Sequence, residues 1–417
     1  MTRESGRRAL SEAKAKEQGR RAFRAGVISA LVIIGSAALG STGHAATTAH
    51  EAAPSTAAST PSGSSEASTI STAAHTVPTA TTQSSFAAGN AWTWGKGEGA
   101  SPVEVLTRVT DTQAAHWGGL AISNGDVSEW TTPGRRHMSE IGLDDVASIG
   151  ESSAHQASAA ITSRGSLYTW GLDEDGQLCN GTVQASSPLT EVVDSSVVQV
   201  SGGSGRMLFL TSNHRVWACG ENVYGQLGDG ATAESDVPVR VRLPADIAQI
   251  SAGSTSAVAL DENGNVWAWG QNNFGQLGDG IRSNFSDVPV EVDLPAPAVE
   301  VYAGGSTTEN GQSLALLSNG EVYGWGNDSW GQLGNDATED AVATPVQATV
   351  LPSGVTWVYV ATGGQDSFAI DSRGDLWEWG APPDDPHTYD LTPSVVQTDV
   401  EQVSATAETV TTITKAK

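Results

Sequence analysis

The sequence predicts an all-β protein, a seven-bladed β-propeller of four-stranded antiparallel blades. Three observations predict it. A short pattern recurs about every fifty residues, each copy reads as a β-hairpin, and two incomplete units stand at the two ends of the repeating region. A repeat period of this length is typical of architectures built by stacking identical units. Units made of short strands and tight turns favour propeller blades among those architectures.

The recurring pattern is an apolar strand, a turn with glycine, and an aromatic strand that ends in Trp-Gly. Residues 258–270 show it most clearly, with the turn at Asn263-Gly264 and aromatic rings at Trp267 and Trp269. Asn-Gly favours a tight hairpin, and residues two apart on a strand share a face. We therefore predict that these tryptophans pack between blades. The seven copies end at Trp94, Trp130, Trp170, Cys219, Trp269, Trp325 and Trp379.

The two ends of the repeating region complement each other. Residues 400–405 and 412–414 resemble the two inner strands of a blade without its outer half, whereas residues 86–95 carry a lone aromatic strand. Joined, they make one complete blade. Since pairing of the N- and C-terminal strands removes open sheet edges, we expect it to close the ring.

The chain is strongly acidic and its charge is unevenly distributed. Its 417 residues carry a net charge of −26, but residues 1–45 hold eight basic and three acidic side chains. An acidic surface repels phosphate backbones, which argues against a nucleic-acid partner. An acidic surface attracts basic partners, so one interpretation is an unidentified protein partner with a basic surface. The other is that the charge only maintains solubility.

Residues 1–45 have the layout of a signal peptide. Arg20, Arg21 and Arg24 precede the apolar stretch 25–39, which is too short to span a bilayer comfortably, and small residues lead to a cleavage site after Ala45. The arginine pair followed by Phe23 also resembles a twin-arginine signal. General and twin-arginine export remain two alternatives.

The segment after the signal is a spacer of low complexity. Residues 46–84 are mostly Ala, Ser, Thr and Pro, a composition that buries too little apolar area to offset the entropy of ordering. We predict disorder there and a propeller over residues 85–417. The mature chain is expected to lack a transmembrane anchor and to be secreted or held at the cell surface.

The loop after Trp-Gly carries a family motif. It reads Asn-x-aromatic-Gly-Gln-Leu-Gly-Asp-Gly within residues 220–230 and 270–280, and weaker copies lie at residues 175–181 and 330–335. With this motif the region resembles the regulator-of-chromosome-condensation repeat family. The copies after Trp94, Trp130 and Trp379 lack the Gly-Gln-Leu segment.

The resemblance and the export signal together suggest what the protein does. The leading hypothesis is an exported, non-catalytic protein-interaction module, monomeric and without a cofactor. A second is a secreted enzyme inhibitor, since the chain distantly resembles the exported β-lactamase inhibitor propellers within this family. A third is an enzyme acting on cell-wall or glycan material, and a fourth is a guanine-nucleotide exchange factor, which is the founding activity that the resemblance implies.

Four side chains near the inner-strand turns are candidate binding residues. They are Trp117, Arg206, Glu309 and Asp366. Trp and Arg dominate the energetics of protein interfaces, and propellers bind through loops displayed on one face. For Trp117 the alternative is a ring folded onto its own blade.

The two cysteines, Cys179 and Cys219, stand in neighbouring repeats. Cys179 replaces a loop glycine and Cys219 replaces a packing tryptophan. In an exported protein a disulfide between them is one hypothesis, and two separate free thiols are the other.

No set of residues predicts catalysis or metal binding. His116 and His155 lie near inner-strand loops, but no nucleophile and orienting group accompany them in a recognisable spacing. Residues 173–176 resemble part of a calcium loop, yet they align with the turn at 272–275, so we interpret them as the repeat's own turn. No catalytic residue and no metal ligand is predicted.

Overall fold

The computed structural model describes residues 88–95, 99–115, 118–131, 139–151, 157–305, 311–382 and 390–415. The predicted signal peptide (1–45) and spacer (46–84) lie outside these ranges. Every regular element that they contain is a β-strand, which confirms the predicted all-β class. No helix with the length and apolarity needed to cross a bilayer occurs in these ranges.

Twenty-seven strands follow one another along the described residues. The first five are β1 (Gly89–Gly95), β2 (Gly99–Ala115), β3 (Gly118–Ser123), β4 (Asp126–Thr131) and β5 (Ser139–Glu140). Sheet 1 contains β6 (Val146–Glu151), β7 (Ala157–Thr162), β8 (Leu167–Asp173) and β9 (Gln184–Val193). Sheet 2 contains β10 (Val197–Gly203), β11 (Arg206–Thr211), β12 (Val216–Gly220) and β13 (Ser235–Arg240).

The later strands repeat the same four-stranded plan. Sheet 3 contains β14 (Ile247–Ala252), β15 (Ser256–Asp261), β16 (Val266–Gln271) and β17 (Phe285–Val292). Sheet 4 contains β18 (Ala298–Ala303), β19 (Gln312–Leu317), β20 (Val322–Asp328) and β21 (Glu339–Gln347). Sheet 5 contains β22 (Trp357–Thr362), β23 (Asp366–Asp371), β24 (Leu376–Gly380) and β25 (Asp390–Gln397), and the last strands are β26 (Val400–Ala405) and β27 (Thr409–Thr414).

The predicted closure is confirmed. Strand β1 pairs antiparallel with β27 from Asn90 opposite Thr414 to Gly95 opposite Thr409, and β27 pairs with β26. The indole N–H of Trp92 also donates to Thr414 Oγ1 at 2.9 Å. The N- and C-terminal ends of the described region therefore lie in one sheet, which leaves no free edge between them.

The predicted count of seven blades is wrong, because the structure has six sheets. Five are the four-stranded sheets 1–5, and the sixth, the fused sheet, runs β26-β27-β1-β2-β3-β4-β5. Strand β2 pairs with β1 up to Val109 and with β3 from Val109 onward. Arg108, with a φ of 59°, bends the backbone just before Val109, as Asp399 does before β26. Strand pairing continues through the bend at Arg108, so two blade-like sets share one strand.

Tryptophans of the repeat fill the spaces between sheets, as predicted. Trp269 packs with Leu208, Leu210 and Leu227 of sheet 2, and Trp325 packs with Val258 and other residues of sheet 3. Both rings are fully buried. Each ring buries about 200 Å² or more of apolar surface, so these contacts hold neighbouring sheets together.

Candidate functional site

The Gly-Gln-Leu loops are shaped by one buried polar side chain each. Asn222 Oδ1 accepts the N–H of Leu227 at 2.9 Å, and Asn272 Oδ1 accepts that of Leu277 at 3.1 Å. In the other two copies an aspartate does the same: Asp173 accepts from Leu178 and Asp328 from Leu333. All four polar side chains are buried, so they act as internal caps of the loop.

The glutamine of each loop connects it to the following sheet. The carbonyl oxygen of Gln226 accepts the indole N–H of Trp269 at 3.0 Å, that of Gln276 accepts from Trp325, and that of Gln332 accepts from Trp379. Because buried indole N–H groups need an acceptor, this bond fixes the loop against the next sheet.

A disulfide replaces this connection between sheets 1 and 2. Cys219 occupies the tryptophan position, and Cys179 occupies the position at which Gly228 closely approaches the Trp269 ring. The two cysteines are bonded, with a Cα–Cα distance of 5.4 Å. The structure therefore contains the disulfide, one of the two alternatives that the sequence left open, and it lies where the family motif places a glycine–tryptophan contact.

The four loops lie side by side. Gly181 N donates to Asp236 O at 2.8 Å, Gly230 N donates to Asp287 O at 2.8 Å, and Gly280 N donates to Ala343 O at 2.9 Å. Each of the first three loops is thus hydrogen-bonded to the outer strand region of the next sheet. We call the resulting surface the loop belt and define it as residues 173–183, 221–237, 272–287 and 328–340.

The loop belt combines negative charge with exposed apolar side chains. It holds thirteen carboxylates and one basic side chain, Arg282. The Arg282 guanidinium donates a hydrogen bond from Nε to Asn273 O at 2.6 Å, and it lies 6.0 Å from the centre of the Phe274 ring. Five of the eight large apolar side chains exposed in the described ranges lie on the belt: Val183, Val223, Val237, Ile281 and Phe285.

Comparison with known proteins identifies the family. A model of the RCC1-like domain matches residues 30–413. The chain belongs to the RCC1-like domain family. It is 29% identical over 338 residues to the mitochondrial RCC1 domain-containing protein RUG3 of Arabidopsis thaliana, covering 70% of this chain and 61% of that one. It is 31% identical over 218 residues to the human probable E3 ubiquitin-protein ligase HERC6, covering 51% of this chain and 20% of the ligase. The chain thus spans less than two thirds of either relative.

Solved structures agree on the fold. Human WBSCR16 superposes with a TM-score of 0.68 at 18% identity, covering 79% of this chain and 99% of that chain. Prp20p of Saccharomyces cerevisiae superposes with a TM-score of 0.65 at 18% identity, covering 79% and 92%. At this identity the likeness establishes the RCC1-like fold alone.

The predicted binding residue Arg206 is an internal cross-link of this RCC1-like domain. It is fully buried, and its guanidinium donates to Gly253 O, Ser254 O and Ser256 O of sheet 3 at 2.6–3.1 Å. Burial lowers its pKa to about 10, and Glu221 opposes that shift, so the group is charged at neutral pH. Arg206 therefore offers no surface to a partner, because the first residue of β11 points at the next sheet.

Of the other predicted binding residues, the structure describes only Asp366, which is also buried. Asp366 begins β23, the position that Arg206 has in β11, and is 1% exposed. Burial raises its pKa well above the usual range, and the charge of Glu378 adds to that effect. Trp117 and Glu309 lie outside the described residues, as do His116 and His155.

The segment that resembles a calcium loop is a turn of the repeat. Asp173 caps Leu178 with Oδ1, while Oδ2 accepts from Thr182 Oγ1 at 3.0 Å and Ser187 Oγ at 3.1 Å. Across the parts of the chain that the structure describes, no three His, Cys, Asp or Glu residues are grouped as metal ligands.

Asp328→Asn is expected to remove part of the pH dependence of stability. Burial raises the pKa of Asp328 to about 7, although bonds from Leu333 and Asn335 favour its charged form. The unfolded aspartate titrates near 3.8, so this group's contribution to stability is complete below about pH 4 and is lost as pH rises toward 7. Thermal melts of both proteins between pH 4 and 8 measure the difference.

Asp336→Asn, on the exposed surface of the same loop, is the control for this effect. The control should follow the wild type at every pH. The Asp328→Asn variant should gain stability relative to the wild type as pH rises. Melting curves of Asp328→Asn that run parallel to the wild type would contradict the assignment.

The apolar side chains of the loop belt are the functional feature that sequence reasoning missed. A signal existed, since Val223, Ile281 and Phe285 stand inside otherwise polar loops. Their exposure could not be read from the sequence, because Leu227 and Leu277 in the same loops are fully buried.

Proposed function

We propose that this chain is an exported, non-catalytic interaction module that binds a protein partner through the loop belt. The observation that carries this proposal is the coincidence, on one belt of neighbouring loops, of eleven carboxylates (not counting the buried Asp173 and Asp328) with five exposed apolar side chains. Exposed apolar side chains with a polar surround are typical of interaction sites. The complementary partner surface is basic around an apolar centre.

The polar side chains of the repeat support a non-catalytic role. Bonds within the ring occupy the Oδ1 atoms of the capping Asn222 and Asn272. They also occupy the backbone carbonyls of Gln226 and Gln276 and the indole N–H groups of Trp269 and Trp325. What the loops present outward is charge and apolar surface on a rigid frame. Rigid presentation reduces the entropy that ordering the loops would cost on binding.

The disulfide supports export. Disulfides persist in oxidising compartments and are rare where thiols are kept reduced. The bond between Cys179 and Cys219 is consistent with the signal-like pattern of residues 1–45. Fractionation of the producing cells, followed by thiol counting on the unreduced protein, tests this part of the proposal. Intracellular protein with two free thiols would contradict it.

Related structures support a role in protein binding. Prp20p was described with its binding to Gsp1p and histones, and yeast RCC1 was crystallised bound to Kap60. Those partners belong to those proteins. By analogy we propose protein binding for this chain, with a partner set by the chemistry of its own belt.

The variant Ile281→Ser/Phe285→Ser tests the loop belt. These side chains are 60% and 39% exposed, so their replacement should leave stability within about 0.5 kcal/mol of the wild type. The tagged wild type and the tagged variant are each incubated with culture medium of the producing organism and then cross-linked. The wild type should capture a partner protein that the variant does not capture. Raising the salt concentration should weaken capture, since the belt is acidic.

Val395→Ser is the matched control, because Val395 is 43% exposed but lies on β25, away from the belt. It should capture the same partner as the wild type. Equal loss in the control, or unchanged capture by the double variant, would overturn the assignment of the belt.

A further inference from the structure

A cavity of about 720 Å³ lies among the inner strands of the ring. Its wall is formed by β10, β14, β18, β22, β26 and parts of β2 and β6. The described lining residues include the carboxylates Glu300 and Glu401 but no Lys, Arg or His. The cavity is distinct from the loop belt, and its volume suits a small organic molecule.

Neighbouring inner strands are joined by side chains that we call inner-strand latches: Gln199, Gln249 and Glu300. Gln199 Nε2 donates to Ile250 O at 2.9 Å, while Ile250 N donates to Gln199 Oε1 at 2.9 Å. Gln249 repeats both bonds with Val301 at 3.2 and 3.1 Å. An amide side chain thus satisfies one N–H and one C=O on the open edge of the next inner strand.

Glu300 occupies the third latch position and can repeat this pattern only while it is protonated. Val360 N donates to Glu300 Oε2 at 3.2 Å, as the other latches would predict. A protonated carboxyl group can donate its O–H to Val360 O, where the glutamines place Nε2, whereas an ionised carboxylate has no hydrogen to donate. When Glu300 is ionised, a donor from another group must therefore take the place of its proton.

The surroundings of Glu300 add negative charge and aromatic surface. Tyr302 from the same strand and Tyr359 from β22 feel its charge, and both also feel that of Asp111 on β2. Gln402 and Ser404 on β26 and Gln249 on β14 are neutral. Burial raises the pKa of Glu300 well above its usual range, so without a cation the group holds a proton.

The wall also holds an unused polar atom. Thr362 lines the cavity and is 1% exposed, and its Oγ1 has no hydrogen-bond partner within the described structure. A buried hydroxyl without a partner is uncommon in folded proteins. The hydrogen-bonding capacity of this hydroxyl is therefore unused in the described structure.

We infer that this cavity binds a small primary amine whose ammonium group bridges the Glu300 carboxylate and Val360 O. The ammonium N–H groups supply the donor that ionised Glu300 lacks, in place of the proton that Glu300 carries without the amine. The tyrosine rings face the cation, and the apolar part of the wall contacts the hydrocarbon tail. The amine arrives already protonated, so Glu300 releases one proton to solvent as it binds.

An ammonium group fits this site better than a metal ion. One carboxylate and one carbonyl oxygen give two ligands, whereas calcium takes six to eight oxygens. The residues that the structure describes contain no cluster of three metal-ligating side chains. The cavity is also far larger than an ion needs.

Calorimetric titration of the mature protein with n-butylamine tests the inference, with 1-butanol as the neutral isostere. The amine should bind with a dissociation constant on the order of 1 mM, as expected for a five-atom ligand, and butanol at least tenfold more weakly. Titration at one pH in two buffers of different ionisation enthalpy should show one proton released per amine. Equal binding of amine and alcohol, or no proton release, would overturn the inference.

Glu300→Gln is the matched variant, because glutamine already occupies the equivalent positions 199 and 249. It should fold as the wild type does, and it should bind n-butylamine at least tenfold more weakly while its weak binding of butanol is unchanged. Unaltered amine affinity in this variant would also refute the site. The proton-release measurement needs only the wild type, so the test does not depend on the variant's stability.

Discussion

Replacing both Cys179 and Cys219 with serine is expected to lower the free energy of unfolding by about 3–4 kcal/mol. The two cysteines are 40 residues apart, and a cross-link that closes a loop of this length restricts the unfolded chain by roughly that amount. Both side chains are buried, so the introduced hydroxyls add to the cost. Urea denaturation of the two proteins under non-reducing conditions measures the difference.

A redesigned contact should recover much of this loss. In sheets 1, 3, 4 and 5 the tryptophan stands opposite a small residue on the neighbouring strand: Ser158, Ala257, Ser313 and Ser367. In sheet 2 the residue opposite Cys219 is Met207, whose larger side chain fills the space of the missing ring. The disulfide and Met207 together therefore replace the glycine, small residue and tryptophan of the repeat.

The triple variant Cys179→Gly/Met207→Ala/Cys219→Trp should consequently be more stable than the serine variant. Glycine suits position 179, where φ is 57°, and the introduced indole N–H can donate to Gln177 O, which Cys219 Sγ now contacts at 3.4 Å. The same variant without Met207→Ala should be less stable by about 1–3 kcal/mol from overpacking. A triple variant no more stable than the serine variant would show that the positions are not equivalent.

Arg206→Ala is expected to cost about 3 kcal/mol or more of stability. The change removes the guanidinium donor from Gly253 O, Ser254 O and Ser256 O, of which the last two keep a backbone N–H donor. Buried bonds to charged groups are worth about 1.5–3 kcal/mol each before relaxation. It also removes a fully buried side chain that joins sheets 2 and 3. Urea denaturation with comparison of the m-values would detect the loss.

Arg206→Gln is the control for this prediction. In sheet 4 the equivalent residue is Gln312, whose Nε2 reaches Gly363 O and Asp366 O at 3.3 and 3.4 Å. Glutamine at position 206 should therefore keep part of the cross-link. The stability of the Arg206→Gln variant should lie between those of the wild type and the Arg206→Ala variant. An alanine variant within about 0.5 kcal/mol of the wild type would contradict a structural role.

Much of the fold could be predicted because the same strand and turn pattern occurs several times in the sequence. The Trp-Gly hairpins predicted the antiparallel units and the buried rings, and the two incomplete ends predicted the pairing of β1 with β27. These features depend on local turn chemistry and on alternation along a strand, which a sequence shows directly. The blade count failed at β2, where strand pairing continues through the bend at Arg108 and joins two sets of strands into one sheet.

The candidate site was harder to predict, because exposure is set by neighbours distant in sequence. Arg206 looked like a surface anchor, but sheet 3 supplies carbonyl oxygens 47–50 residues away that enclose it. Asp366 is enclosed at the equivalent place in sheet 5. Residue type alone does not distinguish an interface arginine from a buried cross-link.

The sequence by itself determined the strand units, the order in which they follow and the complementarity of the two ends, since hairpins and strand faces depend on residues close together in the chain. Only the tertiary structure decided that Cys179 meets Cys219, that Glu300 stands in a row of glutamine latches, and that the loops form one acidic belt. Those features arise where one sheet touches the next, and the contact is made by residues roughly one repeat apart.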